Sequence, residues 1–342
     1  MKLNPFRKEA KSEAEAIAAF WQWWAGTRDE VESAIDAGTV AELSRTIERR
    51  VRAIHRDLEW KVVPGMTSAH VLVVTPNWPD TIRAVAERWL AAAPPVDGTW
   101  SYRCEGVIAD HAAFASTREF QGQMVDLSPV RFGVTVKEDA RRSDVVCYHP
   151  AFAILPDDVQ ENLAYHAVEL ALGEDDTDIW IDEITWSAVE PAEALTPAEL
   201  WRTVQTVAGS YDHWQHSRTE WNGQPVLVTV ASPLVRARWP RFDLYVPVLL
   251  PYRNHDEDGL PADGSLEALR RFEGELSAAL GADGALVAHT TVDRVRTLHF
   301  YVESQSGAAA ELESRLPRWD ESSAAIAEVL LDPAFDRVEH LR

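Results

Sequence analysis

Cys147, Tyr148 and His149 stand together just before Pro150. On an extended strand, residues two apart share a face, so Cys147 and His149 are placed to bring a thiol nucleophile against a base. The opposing reading is an inert cysteine, since free Cys is among the most buried side chains. His213 and His216 invite a metal, but on a strand residues three apart face opposite sides and cannot share an ion. His166 and Glu169 share a helical face beside Leu163 and Leu170, which suits a hydrogen-bonded surface pair better than ligation. The loop Asn254–Gly259 alternates oxygen-bearing residues and turns at a glycine, as a calcium loop does. The position that should hold the bidentate Glu is Ser265, and Pro261 and Ala262 replace expected loop residues, so the ligand set is incomplete.

The acidic run Glu174-Asp175-Asp176-Thr177-Asp178 reads as a solvated turn, able to meet a basic partner or a weak cation. The chain contains no phosphate-binding loop, dinucleotide-binding glycine pattern, nucleophile elbow or paired zinc cysteines. Lysines number five, three of them in the first eleven positions, which leaves Lys61 and Lys137 for amine chemistry. No catalytic residue, cofactor or metal ligand is assigned on this pattern. Fourteen tryptophans are many for 342 residues. Trp21, Trp24, Trp89 and Trp201 have helical apolar neighbours and read as core. Trp78, Trp221, Trp239 and Trp319 sit near turns, where they either anchor a protein interface or cap a layer of the fold.

These side chains must be held by elements that the periodicity defines. Ile17, Phe20, Trp21 and Trp24 form one helical stripe, and Val40, Leu43, Ile47, Val51 and Ile54 form a second behind a capping-box signal, Thr39 with Glu42. Strands are expected at Leu58–Val63 and Ala69–Thr75, a helix over Pro79–Ala93, and a strand at Thr99–Cys104. Residues 105 to 128 show no period. Strands Val130–Val136 and Asp144–His149 follow, then a helix from Pro156 and a strand over Asp178–Trp186. Thr196 and Glu199 form another capping-box signal. Asn222-Gly223 between Asp212–Trp221 and Gln224–Ala231 predicts a hairpin, because both turn positions need positive φ.

After the hairpin come strand Phe242–Leu250, helix Ser265–Leu280, strands Ala285–Thr291 and Thr297–Glu303, helix Ser306–Leu316 and strand Ala324–Leu331. That is the βαββαβ order of ferredoxin-like folds. The expected class is α+β with antiparallel-rich sheets, and a related, more elaborate order is expected in the N-terminal half. Three segments result. Residues 1–190 form an N-terminal α+β domain, with a helical lead-in at 10–55 and sheet and helices over 58–188. Residues 191–209 form a helical linker, and 210–342 a ferredoxin-like C-terminal domain.

Thirty-three Lys and Arg face 55 Asp and Glu, a formal charge of -22. Binding to phosphate backbones or anionic lipid needs a cationic surface, so nucleic acid and membrane are excluded as partners and a basic protein is the partner class expected. Two cysteines are too few for a disulfide scaffold, and the first ten residues lack an apolar segment, which together point to the cytoplasm.

Within the second half, Trp214 precedes the hairpin that leads into Pro225, and Asp258-Gly259-Leu260-Pro261 lies in Tyr252–Pro261. Glu273 lies in the helix over Leu269–Leu280, Leu298-His299-Phe300-Tyr301-Val302 forms a strand, and Asp332-Pro333 closes the set. On these residues the stretch from about 210 to 342 resembles the bacterial domain of unknown function family 695. The resemblance implies an α+β fold and carries over no functional residue. Members of that family also occur joined to a domain similar to the regulator of ribonuclease activity B, to which no residue here matches. The aromatic usual after the closing Asp-Pro is absent, with Ala334 and then Phe335 in its place.

The function expected is a non-catalytic protein-binding or regulatory module of the bacterial cytoplasm. The alternatives are an enzyme of unrecognised type acting on a small molecule in an interdomain cleft, and a structural duplication. The pattern leaves the oligomeric state open.

Overall fold

Two amphipathic helices open the chain, α1 (Phe6–Asp36) and α2 (Ala41–Ile54). The computed structural model describes residues 6–65, 67–76, 80–137, 141–210 and 214–341, the side chains of 6–12, 42, 80 and 210 excepted. The expected stripes are the buried ones: Ile17, Phe20, Trp21 and Trp24 on α1, Ile47, Val51 and Ile54 on α2. The helix α2 starts without a side-chain cap, and the Thr39 hydroxyl instead turns back to the Ala34 carbonyl at 3.4 Å. The Glu42 side chain of that expected capping box lies outside the described residues, as do Trp78 and His213.

Strands β1 (Leu58–Pro64) and β2 (His70–Pro76) pair antiparallel, helix α3 (Arg83–Ala91) crosses back, and β3 (Trp100–Arg103) joins β2 in parallel. A parallel neighbour requires such a crossover, which a tight turn cannot supply. Aromatic rings fill the space between these helices and strands. Trp21 stacks on Trp89 with centroids 4.7 Å apart, and Trp24 meets Trp100 edge-on at 4.9 Å. Trp21 donates its indole N–H to the Trp89 carbonyl and Trp24 to the Tyr102 hydroxyl, whereas the buried indole nitrogens of Trp89 and Trp100 find no hydrogen-bond partner among the described residues.

The stretch without sequence period holds a short hairpin, β4 (Thr117–Phe120) and β5 (Gln123–Asp126). Its turn is Gln121-Gly122, with φ of 48° and 82°. A glutamine where Asn or Asp is usual hides that turn from pattern reading. Next, β6 (Arg131–Lys137) and β7 (Arg142–Tyr148) pair antiparallel. Helices α4 (Asp157–Leu172) and α5 (Glu174–Trp180) cross back to β8 (Ile181–Ser187), which is parallel to β7. The N-terminal half therefore repeats hairpin, helix, parallel strand in two separate three-stranded sheets. The acidic run expected as a solvated turn is helix α5. Gly173, at φ 90°, ends α4, and Glu174, Asp175 and Asp176 fill the first turn of the new helix, where carboxylates suit its positive end.

Helix α6 (Pro197–Ser210) begins on the expected capping box. The Thr196 N–H donates to Glu199 Oε2 at 2.8 Å and the Glu199 N–H to the Thr196 hydroxyl at 3.4 Å. The chain divides into two units. One comprises the chain up to Gly106 with Ser217–Thr229 and Trp239–Leu341, the other Val107–His216 with Val230–Arg238. This division differs from the expected linker at 191–209. Leu200 and Val204 of α6 lie in the core of the second unit beside Leu163, Val168 and Phe132, so that helix is a packed layer and not a connector.

The remaining elements are β9 (Trp214–Trp221), β10 (Gln224–Ala231), β11 (Leu244–Pro251), α7 (Asp263–Leu280), β12 (Gly284–Val292), β13 (Val295–Val302), α8 (Ala308–Arg315), β14 (Ala325–Ile326) and β15 (Leu330–Leu331). The hairpin turn has the required positive φ, 51° at Asn222 and 78° at Gly223. The sheet runs β14-β11-β13-β12-β10-β9, and the pairs β14–β11, β11–β13 and β13–β12 are antiparallel. The closing strand expected over 324–331 is two dipeptide ladders, β14 and β15, both on β11. Val246, Val248 and Leu250 of β11 alternate with Leu298, Phe300 and Val302 of β13 toward Leu269, Phe272 and Leu276 of α7.

One ion cluster ties distant parts of the first unit together. The Arg88 guanidinium of α3 lies 2.6 Å from Glu13, 3.0 Å from Asp243 and 2.9 Å from Glu303. Burial opposes its charge, yet Asp243, Glu13 and Glu303 together hold its pKa above the ordinary arginine value. Replacing Arg88 with Leu leaves three carboxylates without their cation, and the expected loss is about 3–5 kcal/mol in denaturant unfolding. Lys137→Ala, which removes a solvent-screened surface cation from Asp144 and Asp182, should cost far less. A smaller loss at Arg88 than at Lys137 would show that the cluster is not what joins these elements.

Candidate functional site

Cys147 lies on β7 and His149 one residue past the end of that strand, where the expected strand stops short, and they form no nucleophile–base pair. His149 engages the Asp126 carbonyl through Nε2 at 2.8 Å and accepts the Ala151 N–H on Nδ1 at 3.1 Å, capping the 3-10 turn Pro150–Ala153. Both ring nitrogens are committed. Cys147 is fully buried, and burial pushes its thiol pKa up. Cys104 is also buried, and burial together with Glu87 pushes its thiol up as well. A thiolate is the reactive form, so neither sulfur is set up to attack.

The other sequence candidates resolve into fold-holding contacts. In the loop Asn254–Gly259, Asp256 Oδ1 accepts the N–H groups of Asp258 and Leu260, and Asp258 pairs with Arg218 at 2.8 Å. Ser265, at the position of the missing calcium ligand, donates to Glu321. Among the described residues no group of three His, Cys, Asp or Glu side chains is arranged to hold a metal ion. His166 lies 3.2 Å from Arg118 and edge-on to Phe120, which makes it a packing residue of α4. Asp176 of the acidic run accepts Gln205 at 2.6 Å, and partial burial raises its pKa against that hydrogen bond. Trp21, Trp24 and Trp89 are core, as expected. Trp201 is partly exposed instead, Trp319 is buried with its indole on the Pro251 carbonyl, and Trp221 at the hairpin tip is 65% exposed.

Residues that the sequence pattern names only as a strand and a closing dipeptide meet on the face of the β11–β13 sheet opposite α7. The Tyr245 hydroxyl lies 2.7 Å from His299 Nδ1, and Thr290 lies 3.1 Å from Nε2. Burial, then the charges of His340 and His289, lower the His299 pKa to about 4. The Tyr301 hydroxyl donates to Asp332, which also accepts the N–H groups of Asp336 and Arg337. Phe335 stacks on Tyr301 with centroids 3.7 Å apart and adopts φ 63°, a conformation that costs a non-glycine residue about 1–2 kcal/mol. The displaced aromatic thus reaches the ring it packs on by a left-handed kink.

The second unit contains an open groove along the edge of β6. Its volume is about 480 Å³, and Val134, Thr135, Val136, Pro191, Glu193 and Thr203 line it. The edge is closed at one point alone among the described residues. Phe132 exchanges two backbone hydrogen bonds with Leu195, at 2.9 and 2.8 Å. The chain then leaves the edge, and the Pro191 ring packs over Gly133, where an added Cβ would lie 3.2 Å from it. Only a glycine admits that approach without displacing the ring. Backbone groups on an antiparallel strand alternate in direction, so the N–H and C=O of Val134 and Val136 point the same way as those of Phe132, outward. Glu193 is exposed beside them. Lys137, the cation at the far end of β6, is held by Asp144 at 2.7 Å and Asp182 at 2.8 Å. Glu174 to Leu200 carries nine carboxylates and no Lys or Arg. No sequence signal marks this site, because its donors and acceptors are main-chain atoms.

Residues 212–330 match the model of a family described as a family of unknown function, DUF695. The matched stretch covers β9 to β15, apart from the last residue of β15, and so includes the sheet carrying Tyr245, His299 and Tyr301. Comparison with curated proteins finds no match. Among the described residues no helix is long and apolar enough to cross a membrane.

Two measurements test this account. The unfolded His pKa is near 6.5 and the folded value near 4, so the folded state favours neutral His299. The stabilisation is complete above pH 6.5 and is lost as pH falls toward 4, by roughly 3 kcal/mol. His299→Gln should melt with a shallower dependence between pH 7 and 4.5 than the native chain; parallel curves would refute the assignment. Both thiols should ignore a disulfide reagent in the native protein and react on unfolding. Rapid native labelling of Cys147 would contradict its burial.

Proposed function

We propose that this chain is a non-catalytic protein-binding or regulatory module of the bacterial cytoplasm, acting on basic partners, with a ferredoxin-like domain in its C-terminal part. The observation that carries the reading is the groove on β6, where backbone donors and acceptors lie exposed beside an acidic segment. Unpaired strand edges are sites at which proteins add chain from a partner, and folded proteins otherwise cover or blunt them. The formal charge of -22 supports a cationic partner, since such a surface attracts basic proteins and repels nucleic acid.

The test is capture of partners from a bacterial lysate by the native chain and by a Val136→Arg variant, followed by identification of the retained proteins. Val136 lines the groove and is exposed, so the variant alters the surface and spares the core. Basic proteins retained by the native chain and lost from the variant are the expected result. Their association rate should fall between low and physiological salt, with dissociation changing less. Retention of acidic proteins, or retention indifferent to Val136→Arg, would overturn the reading.

A further inference from the structure

The geometry points to the chemistry of the bound segment: the β6 groove takes an extended, lysine- or arginine-bearing stretch of polypeptide as an added strand on the main chain of Val134 and Val136. This rests on the protein-binding reading and sharpens it to one mode of recognition. Three features of the second unit converge on that mode. The first is the pair of free main-chain edges. Phe132 already uses its outward N–H and C=O on Leu195, and Val134 and Val136 repeat that orientation two and four residues along. An incoming strand continues a ladder that the protein has begun.

The second feature is the departure of the protein's own chain. Between Pro191 and Leu195 the backbone pairs at Leu195 alone, and at Pro191 it has no N–H to donate. The Pro191 ring rests on Gly133 instead of beside the edge, so the positions next to Val134 and Val136 are open as a groove of about 480 Å³. Val134 and Val136 are β-branched residues, stiff in the extended conformation that pairing needs.

The third feature is charge. Glu193 is the charged side chain lining the groove, and it lies within a segment, Glu174 to Leu200, that has carboxylates and no cation of its own. Lys137 is already matched by two carboxylates, and their hydrogen bonds raise its pKa, so it stays charged and occupied. Side chains of an added strand alternate between the two faces of the sheet. A segment alternating apolar and cationic residues therefore meets Val134 and Val136 with its apolar set and turns its cationic set to the Gly133 face, with Glu193 of the groove lining as the opposite charge.

The experiment uses the full chain and three short acetylated peptides. One alternates lysine with valine, one replaces every lysine with glutamate, and one is the lysine peptide N-methylated at each backbone nitrogen. Calorimetric titration at low salt should show binding of the lysine peptide, at least tenfold weaker binding of its N-methylated form, and at least tenfold weaker binding of the glutamate peptide. Val136→Pro removes one outward N–H that takes no part in the β6–β7 ladder, so it should weaken the lysine peptide about tenfold while the native melting transition remains. Glu193→Lys should weaken it similarly without touching the ladder, which keeps the test decisive if the proline variant is unstable. Equal binding of the N-methylated peptide, equal binding of the glutamate peptide, or no binding of the lysine peptide each overturns strand addition. If basic proteins are still lost from the Val136→Arg variant in that event, the protein-binding reading stands without it. If they are not, both fall.

Discussion

Arg88 is bonded to carboxylates from three stretches of chain that no local interaction could bring together. Glu13 is on the first helix, Asp243 precedes β11 and Glu303 follows β13. One guanidinium cannot neutralise three carboxylates, and neutral donors complete the set. Ser304 donates its N–H and its hydroxyl to Asp243, and Gln305 donates its N–H to Glu303 and its side-chain amide to Glu13. A charged group out of water is tolerated when its hydrogen bonds are made, and here every member has them. The aromatic cluster beneath α1 and the sheet beneath α7 each have their own apolar packing. It is this polar junction that fixes one against the other within a single unit.

Much of the local structure was legible because its signals are local. The Thr196–Glu199 box, the Asn222-Gly223 turn and the stripes on α1 and α2 depend on side chains a few residues apart, and they appear as read. Thr39 has the same spacing to a glutamate as Thr196, yet its hydroxyl points to Ala34 in the preceding helix. A chain still leaving one helix offers a carbonyl that competes for the cap. The acidic run at 174 looked like a solvated turn because its charge hides its place at a helix start after Gly173. Unit membership was the least legible feature. It depends on Leu200 and Val204 finding a core formed by residues up to ninety positions earlier, and no spacing rule reports that.

The candidate site divides along the same line. Residue types with chemical potential drew attention first, and the fold spends them on itself: His149 on a turn, Asp256 on a loop, Asp332 on the chain after β15. The β6 groove has no such signature. It exists because Gly133 lacks a side chain and Pro191 lacks an N–H, two absences 58 positions apart that matter only once β6 and the 191–195 stretch are adjacent. Sequence reading weighs what residues carry. This surface is made by what two of them omit.

The interleaved chain path also sets an order on synthesis. Arg88 precedes Asp243 by 155 positions and Glu303 by 215. On the ribosome, the N-terminal helices and their tryptophans emerge and collapse with Glu13 already present, but before Asp243 and Glu303 have been translated. The entire 107–216 segment is then made and can close its own core before the first unit receives its last strands. For that interval, a nascent chain carries an Arg88 guanidinium that has Glu13 alone of its three carboxylates. The first unit is therefore completed late, and the rate of translation across residues 107 to 303 sets how long Arg88 waits for its second and third carboxylates.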